Sequence, residues 1–318
     1  MVRGRPHAPR VGIFQEGTHD VVDIPRCVVH HPVVNEAAQA LRAALRATLT
    51  PPYVDETHAG LVRALQVVVE RSSQRCQLVV VANTERPEPL SLLFGLLEAS
   101  LGQRLHSLWF NGHTARSNAV LGSRWEHIVG AESVVDEVGG ARIFFPPAAF
   151  GQANPALMDE AVREVHGWVP SDSRVLELYA GVGTIGLGLA KRGNAVTFNE
   201  VGAGSLAGLA LGLREAGLSH GPRVRVAPGP AEQAISLAGE ADVVIVDPPR
   251  KGLGDEVVRG LLGAAPERLI YLSCGLDSFL RDARALSAGF SLRTVRAFGF
   301  FPYTEHVETL ALFERSQR

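Results

Sequence analysis

The chain has 318 residues, 46% apolar and 20% charged, with a formal net charge of −2. That profile excludes a disordered chain, a transmembrane helix, since no run of about 18 apolar residues occurs, and a uniformly basic nucleic-acid surface. Three cysteines without a Cys-x-x-Cys, and no His-Glu-x-x-His, exclude a disulfide framework and the common zinc signatures.

Length implies two domains at roughly 150 residues each. The sharpest punctuation runs from Phe144-Phe-Pro-Pro147 to Gln152-Ala-Asn-Pro155. It sets the expected boundary between residues 1–145 and 146–318. The first half reads as mixed α/β. Val11–Phe14 and Asp20–Ile24 are short strands. Val33–Thr48 has helical spacing, with Val34, Ala38, Leu41 and Leu45 on one face. Leu61–Glu70 and Cys76–Ala82 read as paired strands, Leu90–Leu101 as a helix and Ser107–Phe110 as a strand.

The second half alternates more regularly. Strands are expected at Val175–Tyr179, Ala195–Asn199, Val224–Val226, Asp242–Val246 and Arg268–Ser273. Helices are expected up to Lys191, up to about Ala216, at Ala231–Leu237 and at Phe279–Ser287. Phe290–Phe298 and Val307–Phe313 follow as adjacent strands. The alternation predicts a doubly wound, mostly parallel sheet that closes in an antiparallel hairpin.

In such sheets ligands bind at the carboxyl ends of the strands. Tyr179–Gly183, Glu200, Asp247–Arg250 and Ser273-Cys274 all fall at predicted strand ends. Gly181-x-Gly183-x-x-Gly186, with Glu200 nineteen residues after Gly181, matches a dinucleotide fingerprint. By itself it fits a nicotinamide cofactor, S-adenosylmethionine, or a tight glycine turn. Asp247-Pro-Pro-Arg250 holds an acid on a stiff loop. Cys274 is placed just before a helix starting near Leu276, where a helix N-terminus would favour the thiolate. Cys27 and Cys76 read as structural. Glu308 opens an apolar strand, where burial would raise its pKa toward that of a proton-transfer group.

Phe150-Gly-Gln152-Ala-Asn154, Leu176-Glu-Leu-Tyr179-Ala-Gly181-Val-Gly183, Asp247-Pro-Pro-Arg250, Leu272-Ser-Cys274 and Phe301-Pro-Tyr-Thr-Glu-His-Val-Glu308 occur in this order. Together they resemble the S-adenosylmethionine-dependent RNA uracil-5 methyltransferases, which make 5-methyluridine in tRNA and rRNA. Gly12–Ile24 and Phe110–Gly122 resemble that family's central domain, so the likeness spans nearly the whole chain. It implies a C-terminal Rossmann-like methyltransferase domain behind an N-terminal RNA-binding domain. It further implies Cys274 as the nucleophile at uracil C6 and Glu308 as the base for the C5 proton. Gln152, Tyr179, Gly181, Gly183, Thr184, Glu200 and Asp247 would bind the cofactor, with Glu200 on the ribose. Asp247 and Arg250 would meet the substrate.

The chain departs from the family at several points. Gly275-Leu276 replaces the usual Asn-Pro after Ser-Cys, and Gly299-Phe-Phe-Pro302 replaces Asp-Met-Phe-Pro. Ala180 stands where Cys is frequent, and Pro230 where an adenine-contacting acid or amide is frequent. A TRAM-type domain and the cysteines of an iron–sulfur cluster are expected to be absent. The reading is a monomeric, cytoplasmic enzyme without metal. Asp-Pro-Pro-Arg-Lys-Gly leans toward rRNA over tRNA. Three alternatives remain at this stage: a methyltransferase of another substrate class, a nicotinamide-dependent oxidoreductase and a non-catalytic RNA-binding scaffold.

Overall fold

Valine-rich runs bounded by polar turns build the sheets of the first unit. The computed structural model describes residues 1–316. It divides into two units, Met1–Val134 and Val135–Arg318. In the first, β1 (Val2–Arg5), β2 (Ala8–Phe14) and β3 (Val21–Asp23) form an antiparallel sheet. After α1 (Pro32–Thr48) come β4 (Val62–Glu70), β5 (Arg75–Ala82), α2 (Ser91–Leu101), β6 (Leu105–Gly112) and β7 (Arg124–Gly130). The four strands pair in the order β4-β5-β6-β7, and α2 is the crossover that lets β5 and β6 run parallel. The buried stripe of α1 is Val33, Ala37, Ala40, Leu41, Ala44 and Leu45. Val34 and Ala38, expected inside, are only half-buried. Leu41 and Leu45 belong to both apolar series, so spacing alone left the helix rotation open.

The second unit begins with the pair β8 (Val134–Val138) and β9 (Ala141–Phe145). The division therefore falls at the start of this pair, between Val134 and Val135, and not at the expected 145/146. The reason is burial: Val138, Ala141 and Ile143 sit in the core that Val162, Leu187, Phe198 and Leu209 build. Next come α3 (Pro155–Trp168), β10 (Arg174–Leu178), α4 (Gly186–Lys191), β11 (Ala195–Glu200), α5 (Ala203–Glu215) and β12 (Val224–Pro228). The chain continues through α6 (Ala231–Ala234), β13 (Val243–Val246), α7 (Asp255–Ala264), β14 (Arg268–Ser273), α8 (Leu276–Leu286), β15 (Phe290–Phe298) and β16 (Glu308–Arg315).

Seven strands form one sheet in the order β12-β11-β10-β13-β14-β16-β15. All neighbours are parallel except β16, which runs antiparallel between β14 and β15. This is the doubly wound sheet with a terminal hairpin that the alternation predicts. Both faces are buried, so the strands alternate between two cores. Val175, Val243, Ile245 and Ile270 face one, and Leu176, Leu178, Val244, Val246 and Tyr271 face the other. The strand order reverses beside β10, where β11 and β13 leave on opposite sides; that is where such sheets open a crevice.

α3 and α7 went unread in the sequence. Asn154 caps α3, its Oδ1 accepting from Leu157 N–H at 3.2 Å, and Pro155 occupies the first turn. No helix among the described residues is long and apolar enough to cross a membrane. No group of three or more His, Cys, Asp or Glu among them could hold a metal ion.

Candidate active site

Parallel strands bring their carboxyl ends to one edge, and these ends deliver most of the candidate residues. Tyr179 follows β10, Glu200 ends β11, Asp247 follows β13 and Cys274 follows β14. Glu308 reaches the same edge by the opposite route. β16 is antiparallel to β14, with Ser273 opposite Thr309. Cys274 and Glu308 are the next residues on either side of that last pair.

The turn after β10 is held from below and from the side. Tyr179 adopts a left-handed φ of 60°, which turns the chain sharply off the strand. Gly181 N–H donates to Glu200 Oε2 at 2.8 Å, while Val201 and Gly202 N–H donate to Oε1. Gly183 has φ 84°, and a Cβ there would lie 2.6 Å from Leu209 Cδ1. By contrast, a Cβ on Gly181 would meet nothing within 4 Å. The glycine turn thus borders open space beside the Glu200 carboxylate, whose three backbone donors leave one acceptor position for a hydroxyl donor. These features fit an adenosyl ligand. Thr184 is half-buried within the turn. The following helix has only six residues. Gln152 is half-buried in the loop before α3, and that loop packs Ala148 against Gly204 of α5. Among the described residues, no hydrogen bond joins Gln152 to the other candidates.

The acids at this edge are strongly perturbed. Burial pushes Asp247 up to about 7, and Glu308 adds to the rise. Glu308 is 2% exposed and its Oε2 has no hydrogen-bond partner. Burial raises its carboxyl, and the Arg250 guanidinium opposes the rise. Burial, then Glu232 and Asp282, push the Tyr179 phenol up to about 12.

The Cys274 thiol runs against the expectation. It is raised, first by burial and then by Glu308 and Asp247, with Arg250 opposing. A helix terminus contributes about 0.3–1 kcal/mol at an exposed site and up to about 2 kcal/mol at a partly buried one. Partial burial facing two carboxylates outweighs that contribution. Cys76 behaves as an inert core thiol, pushed up by burial to about 11. Cys27 sits half-buried, with its backbone tied to Asn35 at 2.8 and 3.0 Å.

The Gly275 departure has a steric reason. A Cβ there would lie 2.9 Å from the Arg250 carbonyl oxygen and 2.7 Å from Ser278 Oγ. The loop carrying Asp247-Pro-Pro-Arg250 therefore touches the residue after the thiol. Ser278 Oγ donates to Gly275 O at 2.9 Å, tightening the first turn of α8.

Three residues near the site carried no role in the sequence reading. Glu177, 2% exposed on β10, accepts from Gly186 N–H at 3.0 Å and supports the glycine turn. Burial, and after it Asp247 and Glu200, push it up to about 8. Asn199 Nδ2 donates to Ala227 and Gly229 carbonyls at 2.9 and 2.8 Å, fixing the loop after β12. Asp282, 3% exposed on α8, gathers donors from three segments. The sequence held a signal for two of them. Glu177 interrupts an otherwise apolar strand, and Asp282 lies on the helical face of Phe279 and Leu286.

Residues 233–316 match the family described as tRNA (uracil-5-)-methyltransferase. An RNA methyltransferase of Protochlamydia amoebophila is 35% identical over 99% of this chain and 84% of its own length. One from Caldanaerobacter subterraneus is 30% identical over 96% of this chain and 68% of its own. The solved tRNA (uracil-54, C5)-methyltransferase of Pyrococcus abyssi, in complex with S-adenosyl-L-homocysteine, superposes with a TM-score of 0.81. It is 24% identical, covering 94% of this chain and 71% of that one. That likeness bears on the fold.

Proposed function

The chain belongs to the uracil-5 family of RNA methyltransferases, and on that premise we propose that it methylates C5 of a uridine through a covalent Cys274 adduct. The observation that carries the reading is the antiparallel placement of β16, which starts at Glu308 one residue beyond the Ser273–Thr309 pair, on the side of Cys274, at the edge where Glu200 ends β11 and Asp247 follows β13. Uracil C5 is a poor nucleophile until a thiolate has added at C6.

S-adenosylmethionine, when bound, supplies the methyl group. Glu200 would accept from a ribose hydroxyl, and the Gly181–Gly183 turn, Tyr179, Thr184, Gln152 and Asp247 would line the cofactor's place. Cys274 Sγ bonds to C6, and the C5–C6 pair moves onto the C4 carbonyl oxygen as an enolate. The pair returns through C5, which gains the methyl carbon. Glu308 then takes the C5 proton, the C5–C6 double bond reforms, and the sulfur leaves C6. A buried, unpartnered Glu308 suits that step, because its raised pKa makes it a stronger base than a solvated carboxylate. The neutral thiol must lose its proton as it adds. Glu308 has to stay unprotonated for the later step, and Asp247, raised by burial beside the same strand edge, is a carboxylate that could take the thiol proton.

The target base must be splayed out of its RNA to reach such a pocket. Arg250, exposed on its loop, is placed to meet the substrate. The Asp-Pro-Pro-Arg-Lys-Gly run favours rRNA over tRNA, and the enzyme works as a cytoplasmic monomer. The test is incubation with tritiated S-adenosylmethionine and separate unmodified rRNA and tRNA pools, followed by nucleoside analysis. Label in 5-methyluridine from rRNA is expected. Label in another nucleoside, or none while S-adenosylhomocysteine still binds, would overturn the reading. A thermal shift with S-adenosylhomocysteine and none with NAD separates it from nicotinamide chemistry.

A further inference from the structure

The loop after β13 and the helix after Cys274 are joined at the second turn of α8, and the joint is Asp282. We propose that Asp282 is a positioning residue: it clamps the Asp247–Gly254 loop to α8 and to β14, and so keeps Arg250 beside Cys274 and Glu308. The proposal rests on the reading of Cys274 as nucleophile and adds a residue that reading does not contain.

Asp282 Oδ2 accepts from Leu253 N–H of the loop at 2.8 Å. It also accepts from Tyr271 OH at 2.8 Å, three residues before Cys274 on β14. Oδ1 takes Arg281 Nε at 3.1 Å and Nη2 at 3.0 Å. Arg281 Nη2 in turn donates to the Lys251 carbonyl at 2.6 Å. Four donors from three segments fill the acceptor positions of one buried carboxyl group. Burial, and then the bond to Asp282, hold the Tyr271 phenol above its ordinary value, so it remains a donor.

Close approach confirms how tightly the loop is drawn in. Gly252 has φ 82°, and a Cβ there would collide with Asp282 Oδ2 and Arg281 Nη2. At the other end of the loop, the Arg250 carbonyl leaves no room for a Cβ on Gly275. The loop is thus pinned twice, once beside the thiol and once at the second turn of α8. Between the two pins it cannot swing.

The consequence is electrostatic. The charged groups that act on Cys274 are Glu308 from β16 and Asp247 and Arg250 from this loop. Of these only Arg250 favours the thiolate, and the same guanidinium opposes the rise of Glu308. The clamp acts at Lys251 and Leu253, so its release frees the exposed Arg250 side chain to swing into solvent, while Asp247, next to the end of β13, stays in place with burial and Glu308. The thiol then becomes harder to ionise.

The test is alkylation of Cys274 by iodoacetamide across pH, resolved from Cys27 and Cys76 by peptide mass spectrometry on the full chain. Asp282→Asn and Arg250→Gln are each expected to move the reactivity midpoint to higher pH. At pH 8 the alkylation rate should fall roughly two- to five-fold, the scale of one exposed charge. The double variant should shift no further than Arg250→Gln alone, because both changes remove the same guanidinium. S-adenosylhomocysteine affinity should stay within about two-fold. An unmoved midpoint in Asp282→Asn, or additive shifts in the double variant, would overturn the proposal. So would a joint loss of cofactor affinity, which marks general damage. If Asp282→Asn does not fold, Tyr271→Phe removes one donor and should move the midpoint part of the way; no movement there overturns it as well. The readout needs no RNA, so a failed clamp is distinguishable from a failed nucleophile, which Cys274→Ala tests in methyl transfer.

Discussion

Replacing Glu177 by glutamine should stabilise the second unit, and by an amount that grows with pH. Glu177 is 2% exposed, and its titration lies at about 8 instead of 4.5. An acid whose folded pKa is raised binds its proton more tightly when folded. Its contribution to stability is therefore fully present below the unfolded value near 4.5 and is lost as pH rises toward about 8. At roughly 1.4 kcal/mol per pH unit, the cost is about 1 kcal/mol at pH 5 and about 5 kcal/mol at pH 9. Glutamine keeps an acceptor for Gly186 N–H and cannot ionise. Any fixed packing cost of the amide is the same at both pH values. The stability gap between variant and parent should therefore open by about 4 kcal/mol from pH 5 to pH 9. Urea unfolding of both proteins at several pH values measures it; Glu308 titrates in both and cancels in the difference, while Asp247, which acts on Glu177, cancels only in part. A gap that does not change with pH would refute the claim that Glu177 is buried as a neutral acid.

Four further outcomes follow from the site. Cys274→Ala should abolish methyl transfer while leaving S-adenosylhomocysteine binding intact, read by tritium transfer and by thermal shift; full turnover would remove the covalent mechanism. Glu308→Gln should accumulate an enzyme–RNA adduct, seen as a slow band on a denaturing gel, because the C5 proton leaves before the sulfur does. Gly186→Ala should cost about 1–3 kcal/mol of stability in urea, since its Cβ would collide with Glu177 Oε2 and Phe198. Gly275→Asn, the residue usual in the family, should slow adduct formation, because its Cβ meets a backbone oxygen of Arg250 that cannot turn aside; unchanged adduct kinetics would mean the loop is softer than its contacts imply.

Much of this site is legible in the linear chain, and the reason is topological. A parallel sheet converts sequence order into spatial order at its carboxyl edge. Finding strand ends at Leu178, Glu200, Val246 and Ser273 is then enough to collect their neighbours in one place. Asp282 is of another kind. Its apolar helical face announces burial, but only the folded loop supplies Leu253 N–H and the Lys251 carbonyl. The Cys274 thiol illustrates the same limit. Proximity to a helix start is local and can be read from spacing. The opposing charges of Asp247 and Glu308 come from two other strands, 27 residues before it and 34 after it.

The sequence by itself determined the strand–helix alternation, the apolar periods that bury both faces of the seven-stranded sheet, and the acids, glycines and cysteine at its edge. Those are properties of neighbours along the chain, where a period of two or of 3.6 is already visible. Tertiary structure alone decided that the β8–β9 pair joins the second unit, that α1 turns Val33 and Ala37 inward, and that Gly275 must yield to Arg250. It also decided that burial, Glu308 and Asp247 raise the thiol. These outcomes depend on which surfaces meet and how much water leaves between them, and no spacing of residues along the chain encodes that.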